Sequence, residues 1–315
     1  MASPAKQEYK FPTNAVWFVT GCSSGIGRAL ATVIAAKGDR LIATARNVST
    51  LSYLPTSPSI LPLALDVTSL PSIDAALSTA LSHFHRIDVF VNNAGYSLTG
   101  DTENATDAAA RRCMDTDFWG TVDITKRALG ILRDVNPSTG GGQQGGVIAN
   151  VTSLGGRIGF PGSAFYHAAK FAAEGFTEAV AKEVRPEWNI HFMLIEPGGV
   201  KTDFVGRSTV GIKPHPAYAA ADSPARVLER YMKDPVASAA WADPEDIAEA
   251  VYGVVEKGGV IPLRLPLGPE TWGLLKAENE RMVGMLEQTK ELAHRVGKTG
   301  QLESVKFLEE QHRGM

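Results

Sequence analysis

Residues 15–38 read AVWFVTGCSSGIGRALATVIAAKG. The first six, Ala15–Thr20, are apolar and rich in β-formers, and Gly21, Gly25 and Gly27 fall where that strand gives way to a helix over Gly25–Lys37. Glycine at such a junction permits a tight turn, lets the backbone approach a pyrophosphate and lets the helix pack closely on a sheet. Free amides in the helix's first turn, with the helix dipole behind them, favour a phosphate. Glycine also punctuates ordinary turns, so the string alone says little. The strand before it and the amphipathic helix after it supply the context that a dinucleotide site requires.

Outward from this unit the pattern repeats. Strands are predicted at Arg40–Ala45, Leu61–Leu65, Ile87–Asn92, Gly146–Thr152 and Ile190–Ile195, and helices at Pro71–His83, Thr106–Leu132 and Ala164–Val184. Such alternation implies an α/β fold, a doubly wound parallel sheet with helices on both faces. Right-handed crossovers then place a ligand crevice at the strands' carboxyl ends. Thr20, Asn92, Ser153 and Glu196 all sit at or just after predicted strand ends, so one domain with one crevice is expected. Pro137–Gly146 reads as a plain loop. Gly206–Pro235, rich in proline and with a short helix near Ala225–Met232, is a candidate lid. A helix from Pro244 to Glu256 and an apolar segment Val260–Leu267 follow. The charged tail Pro269–Gln311 is helical in pattern, and its incomplete apolar stripe (Trp272, Leu275, Met282, Met285, Leu286, Leu292, Val296) is expected to pack on its own domain or a second subunit.

A second constellation lies in NVTSLGGRIGFPGSAFYHAAK, residues 150–170. Tyr166 and Lys170 stand four apart on a predicted helix and so share a face. A free phenol has a pKa near ~10, too high to trade protons readily at neutral pH. An adjacent ammonium favours the phenolate and draws that value down. Ser153, at a predicted strand end, supplies a hydroxyl to hold a carbonyl or alcohol oxygen.

The bulk numbers set bounds. The 315 residues allow one large domain with a substantial core. A formal charge of −3 gives no hint of a nucleic acid or anionic membrane partner. Two cysteines, Cys22 and Cys113, argue against a disulfide scaffold and fit a reducing compartment. Cys22 is read as a loop-filling residue. The N-terminal segment lacks a signal-peptide core and no run is long enough for a membrane span, so a cytoplasmic protein is expected. No His/Cys/Asp cluster has metal-ligand spacing, so no metal is expected.

Together these residues resemble the short-chain dehydrogenase/reductase family, a Rossmann fold, over about residues 14–267, with a helical extension over about 268–312. Thr20-Gly21-Cys22-Ser23-Ser24-Gly25-Ile26-Gly27 matches the family's TGxxxGxG loop. Asp66-Val67 resembles its adenine-side acid after the third strand, and Asn92-Asn93-Ala94-Gly95 its NNAG motif. Ser153, Tyr166 and Lys170 match its catalytic trio. Pro197-Gly198, followed by Val200 and Thr202, resembles the segment that meets the nicotinamide end. The resemblance implies hydride transfer between a nicotinamide and a carbonyl or secondary alcohol. Tyr166 is then the acid or base, Ser153 orients the substrate oxygen, and Lys170 tunes Tyr166 and holds the nicotinamide ribose.

NAD-specific relatives usually carry an acid at the end of the second strand. Here that slot is Ala45, followed by Arg46, whose guanidinium suits a 2′-phosphate, so the expected cofactor is NADP(H). Arg28 adds positive potential or faces solvent. One departure stands out. Where the family places an Asn in an N-x-x-G pattern, this chain reads Asp117-Phe118-Trp119-Gly120. The family Asn holds a water linked to the active-site lysine. A carboxylate there would favour the ammonium of Lys170 and raise the Tyr166 pKa. Asp115 and Asp123 are read as solvated, His167 as packing, and Trp119 as a core or interface aromatic. The resemblance extends to steroid, retinoid and fungal biosynthetic reductases, implying a moderately large apolar small-molecule substrate and a homo-oligomer. Two other readings stay open: non-redox chemistry on the same cofactor fold, which Asp117 keeps in play, and a cofactor sensor without turnover.

Overall fold

The computed structural model describes residues 8–139, 143–202, 208–297 and 300–308. Strand β1 (Val16–Val19) lies inside a seven-stranded parallel sheet with β2 (Arg40–Ala45), β3 (Ile60–Ala64), β4 (Val89–Asn92), β6 (Gly146–Val151), β7 (Ile190–Pro197) and β9 (Arg264–Leu267). The order is β3-β2-β1-β4-β6-β7-β9. Every residue of β1, β4 and β7 is buried, which is why these strands read as continuous apolar runs. The chain steps outward from β1 to β3 and then returns to β4. That reversal opens a crevice at the carboxyl ends of β1 and β4.

Side-chain alternation along β1 divides the core in two. Trp17 and Val19 face helix α1 (Gly25–Lys37) and α8 (Pro244–Lys257), joined by Leu30, Ile34, Ile247 and Val251. Val16 and Phe18 face α2 (Leu70–Phe84), α4 (Gly120–Gly130) and α5 (Ala164–Glu183), joined by Ile73, Ile124 and Val180. Each such fully buried side chain contributes about 1.5–3 kcal/mol. Helix ends follow local chemistry. Ser69 caps α2 by accepting from the Ser72 amide, and α1 stops at Gly38, whose φ of 85° is left-handed.

The predicted helix Thr106–Leu132 is α3 (Asp107–Met114) running into α4, with five-residue π-helical turns at Asp115–Trp119 and Ile131–Val135. The first of these turns Asp117 inward and Trp119 outward. Trp119 is 52% exposed, so it is not a core aromatic.

Over the crevice, β5 (Ser97–Thr99) pairs in parallel with β8 (Thr209–Gly211), followed by α6 (Pro224–Lys233) and α7 (Pro235–Ala239). The buried Asp101 carboxylate accepts from the His215 amide at 3.0 Å and from Arg226 Nη2 at 2.8 Å, tying this excursion to the domain. Past the edge strand β9 runs α9 (Pro269–Arg295), then α10 (Gln301–Ser304). In α9 only Thr271 and Leu275 are buried, while Trp272, Met282, Met285, Leu286, Leu292 and Val296 are exposed. Apart from Leu275 the tail stripe does not pack on its own domain, the first of its two expected partners, because α9 leaves the sheet edge after its first turns. The middle of the loop 137–146, the start of the stretch 206–235 and the end of the tail to residue 311 lie outside the described residues. No helix among the described residues is long and apolar enough to cross a membrane.

Candidate active site

The glycine loop and the loop after β4 are stitched together. Thr20 Oγ1, buried, accepts the amides of Asn93 and Ala94, both at 2.9 Å. Asn93 Nδ2 donates back to Thr20 O at 2.8 Å and Gly21 O at 3.2 Å. A Cβ on Gly21 would lie 2.9 Å from Ala94 Cα, and one on Gly27 would lie 2.4 Å from Gly21 O. Neither position has room for a side chain. Ser24 precedes α1 without using its side chain as a cap, which leaves the first-turn amides to a ligand.

A cavity of about 1100 Å³ begins at Ala45, Arg46, Asp66 and Val67 and passes Gly21, Ser23, Ser24, Gly25 and Ile26, then Asn93, Ala94 and Gly95. It continues to Ser153, Tyr166 and Lys170, and along Pro197, Gly198, Val200 and Thr202. The elongated cradle, with glycines where a Cβ would intrude, fits a dinucleotide. Two expected site residues do not line it. Gly27 supports the loop from beneath, and Asp117, only 1% exposed, sits behind Lys170. Asp117 was expected to tune Lys170, and its place behind that lysine and outside the cavity makes it a positioning group, not a catalytic one.

At the inner end, Lys170 Nζ donates to Val151 O at 3.0 Å, pairs with Asp117 Oδ1 at 3.3 Å, and lies 5.6 Å from the Tyr166 ring centroid. Asp117 also accepts the Tyr96 amide on both oxygens, at 3.2 and 3.3 Å. Ser153 lies two residues past the end of β6 and opens the turn Leu154–Gly156. Its Oγ accepts the Gly155 amide at 3.0 Å, and its hydroxyl bonds the Tyr166 phenol. His167 Nδ1 lies 2.9 Å from Gly155 O, and because a carbonyl only accepts, Nδ1 carries the proton. His167 is buried, as its packing role required, but it also braces the serine turn and borders the cavity. From the other side, Thr152 Oγ1 donates to Glu174 Oε1 at 2.6 Å and Arg157 to Glu196 Oε1 at 3.2 Å. Burial first, and then the nearby Glu196 charge, push Glu174 up to about 7.

Electrostatics depart from the expectation in one respect. Burial raises the Tyr166 pKa and outweighs the downward pull of Lys170, while Asp117 adds to the rise. The phenol is therefore held protonated rather than poised as phenolate. Burial alone would lower Lys170, but Asp117 and Tyr166 reverse this and keep it an ammonium. Burial raises Asp117 to about 6 against the opposing effect of Lys170. Cys22, wholly buried, is pushed up to about 12 by burial, which fits a loop filler and not a reactive thiol. Arg28 lies over the Tyr53 ring at 4.2 Å.

Beyond Tyr166 the cavity is walled by Tyr96, Phe160, Ile212, Leu228, Met232, Trp241 and Leu274. Residues 208–214 and 225–233 belong to the candidate lid, which the sequence located without naming the side chains. Tyr96 and Phe160 were missed, since single aromatics in loops carry no periodic signal.

A family model described as short chain dehydrogenase matches residues 15–211. The chain belongs to the short-chain dehydrogenase family. It is 46% identical over 290 residues to "Oxidoreductase calM" of Penicillium decumbens, covering 90% of this chain and 94% of that one. It is 31% identical over 251 residues to a "3-ketodihydrosphingosine reductase" of Bacteroides thetaiotaomicron, covering 80% and 87%. The crystal structure of a short-chain dehydrogenase from Streptomyces avermitilis superposes with a TM-score of 0.78 at 30% identity, covering 91% of this chain and all of that one. This dehydrogenase is accordingly an oxidoreductase of that family, and the site just described lies mostly within the matched stretch. Its outer wall, which includes Ile212, Leu228, Met232, Trp241, Glu270 and Leu274, lies beyond it.

Proposed function

We propose that this dehydrogenase reduces the ketone of a moderately large apolar substrate with NADPH, or oxidises the matching secondary alcohol. The observation that carries the reading is the meeting of the Ser153 hydroxyl, the Tyr166 phenol and the Lys170 ammonium in one cavity that runs on to the glycine loop and Arg46. Bound there, the cofactor would supply the hydride for the carbonyl carbon. Tyr166 donates the proton that the carbonyl oxygen needs, and its raised pKa keeps that proton in place at neutral pH. Ser153, its Oγ set by the Gly155 amide, holds the same oxygen. Lys170 offsets the charge left on the phenol, and Asp117 and Val151 O fix its position.

Arg46 supports NADPH over NADH. It borders the cavity beside Ala45, where no carboxylate would repel a 2′-phosphate. The apolar walls of the outer cavity support a large apolar substrate, and one relative is named as a reductase of a keto compound. Asp117 lies outside the cavity and offers no group to non-redox chemistry, which favours the redox reading over that alternative. A homo-oligomer in the cytoplasm accompanies the proposal, with the exposed Trp119 and Phe171 as apolar surface for subunit contact.

Absorbance at 340 nm over a panel of ketones and aldehydes tests the proposal. NADPH should serve at least about tenfold better than NADH, as one bound phosphate charge implies. Tyr166→Phe should bind NADPH within about twofold of wild type and lose about 10²- to 10⁴-fold in turnover. Undiminished turnover by Tyr166→Phe would remove the assigned acid, and equal use of NADH would remove the cofactor choice.

A further inference from the structure

We propose that Glu270, from the first turn of the C-terminal helix, sets the charge at the nicotinamide end of the cavity, so that the oxidised cofactor binds more tightly relative to the reduced one. The inference rests on reading the cavity as a nicotinamide dinucleotide site.

Sheet register brings the residue there. Val151 of β6 faces Ile195 of β7, so the turn after β7, Pro197–Gly199, lies beside the serine turn after β6. Pro197 in turn faces Leu267 of β9, and three residues later comes Glu270. The Gly199 amide donates to Glu270 Oε1 at 3.0 Å. A Cβ on Gly198 would stand 2.2 Å from that same oxygen, so only glycine lets the carboxylate close on the turn. Glu270 borders the cavity together with Leu274, one helical turn further on. No Lys or Arg among the described residues pairs with it, and the Gly199 amide is its polar partner. A carbonyl carbon held by Ser153 and Tyr166 must receive its hydride beside them, and the turn Gly198–Gly199 that Glu270 braces lines the same cavity, so these residues would hold the reacting ring. That ring is a cation when oxidised and neutral when reduced. A carboxylate fixed nearby therefore favours the oxidised form over the reduced one. Glu270 is exposed, so the effect is screened and modest. Stabilising the oxidised product also assists carbonyl reduction. The residue lies outside the stretch 15–211 that matches the family model, which gives the C-terminal extension a part in the site.

Glu270→Gln keeps an oxygen for the Gly199 amide and removes only the charge, whereas Glu270→Ala removes both. Calorimetric titration of the full chain with NADP⁺ and with NADPH separates the two roles. Glu270→Gln should weaken NADP⁺ by about three- to tenfold and leave NADPH within about twofold, the difference shrinking as salt is raised. Glu270→Ala should add a further loss common to both forms. If Glu270→Gln changes both affinities alike, or neither, the inference falls while the cavity reading stands. If the wild-type protein binds neither form, the cavity reading falls and carries the inference with it.

Discussion

Asp117 carries the chain's clearest chemical departure, and its effect on Tyr166 has a sign. As a carboxylate it raises the Tyr166 pKa and fastens Lys170. Asp117→Asn removes that charge, so the phenolate forms at lower pH. Alcohol oxidation requires the phenolate. Its half-maximal point on a kcat/KM profile should therefore move down by roughly half to one pH unit. Any feature near pH 6 that arises from Asp117 itself should vanish with it. An unmoved or upward-shifted profile would show that Asp117 does not couple to Tyr166. At this scale the sequence was informative about identity and spacing. Ser153, Tyr166 and Lys170 stand where their spacing put them. It was silent on the balance between burial and charge, because that balance depends on how much water reaches the phenol, which no local pattern encodes.

Between residue and fold, the turn Leu154–Gly156 and the helix α5 form one device. His167, on the helix, donates to Gly155 O, and the amide of the same glycine donates to Ser153 Oγ. His167→Asn places an amide N–H close to the former Nδ1 and should hold turnover within about threefold of wild type, because the bond to Gly155 survives. His167→Leu leaves the Gly155 carbonyl without its donor, a loss of about 1–3 kcal/mol, and should cut kcat by about tenfold or more. NADPH affinity should stay level in both variants, since the serine turn meets the substrate side. Equal kcat losses in the two variants would show that the ring fills space and does not position the serine. Helix α5 itself was legible, its predicted span Ala164–Val184 ending one residue past the observed Glu183. The π-helical turn at Asp115–Trp119 was not. A single wide turn shifts the helical register by one residue, too little to disturb an apolar pattern read over several turns.

For the molecule as a whole, the candidate lid is tied to the rest of the chain by the β5–β8 pairing and by side-chain bonds, among them the largely buried Asp101–Arg226 pair. Asp101→Ala leaves Arg226 with only Glu229 as its ion-pair partner among the described residues and frees the His215 amide. Breaking a buried pair costs about 3–5 kcal/mol where both groups are fully enclosed. Here the cost should appear as local opening, with substrate KM up by about tenfold, proteolysis within residues 208–241 faster, and NADPH affinity unchanged. A general loss of thermal stability with an unchanged KM would place the pair in the fold's support and not in the lid.

The parallel sheet, its helices, the glycine turn after β1 and the spacing that brings Ser153, Tyr166 and Lys170 to one cavity were readable along the chain, because each depends on residue type and on spacings of a few positions. The lining of the outer cavity, the burial of Asp117 behind Lys170, the approach of Glu270 to Gly199 and the outward face of Trp119 were not. The Glu270–Gly199 contact joins residues 71 positions apart, the cavity lining joins residues still further apart, and the facings of Asp117 and Trp119 turn on one helical register. Strand order and packing set them, and neither leaves a periodic trace in sequence.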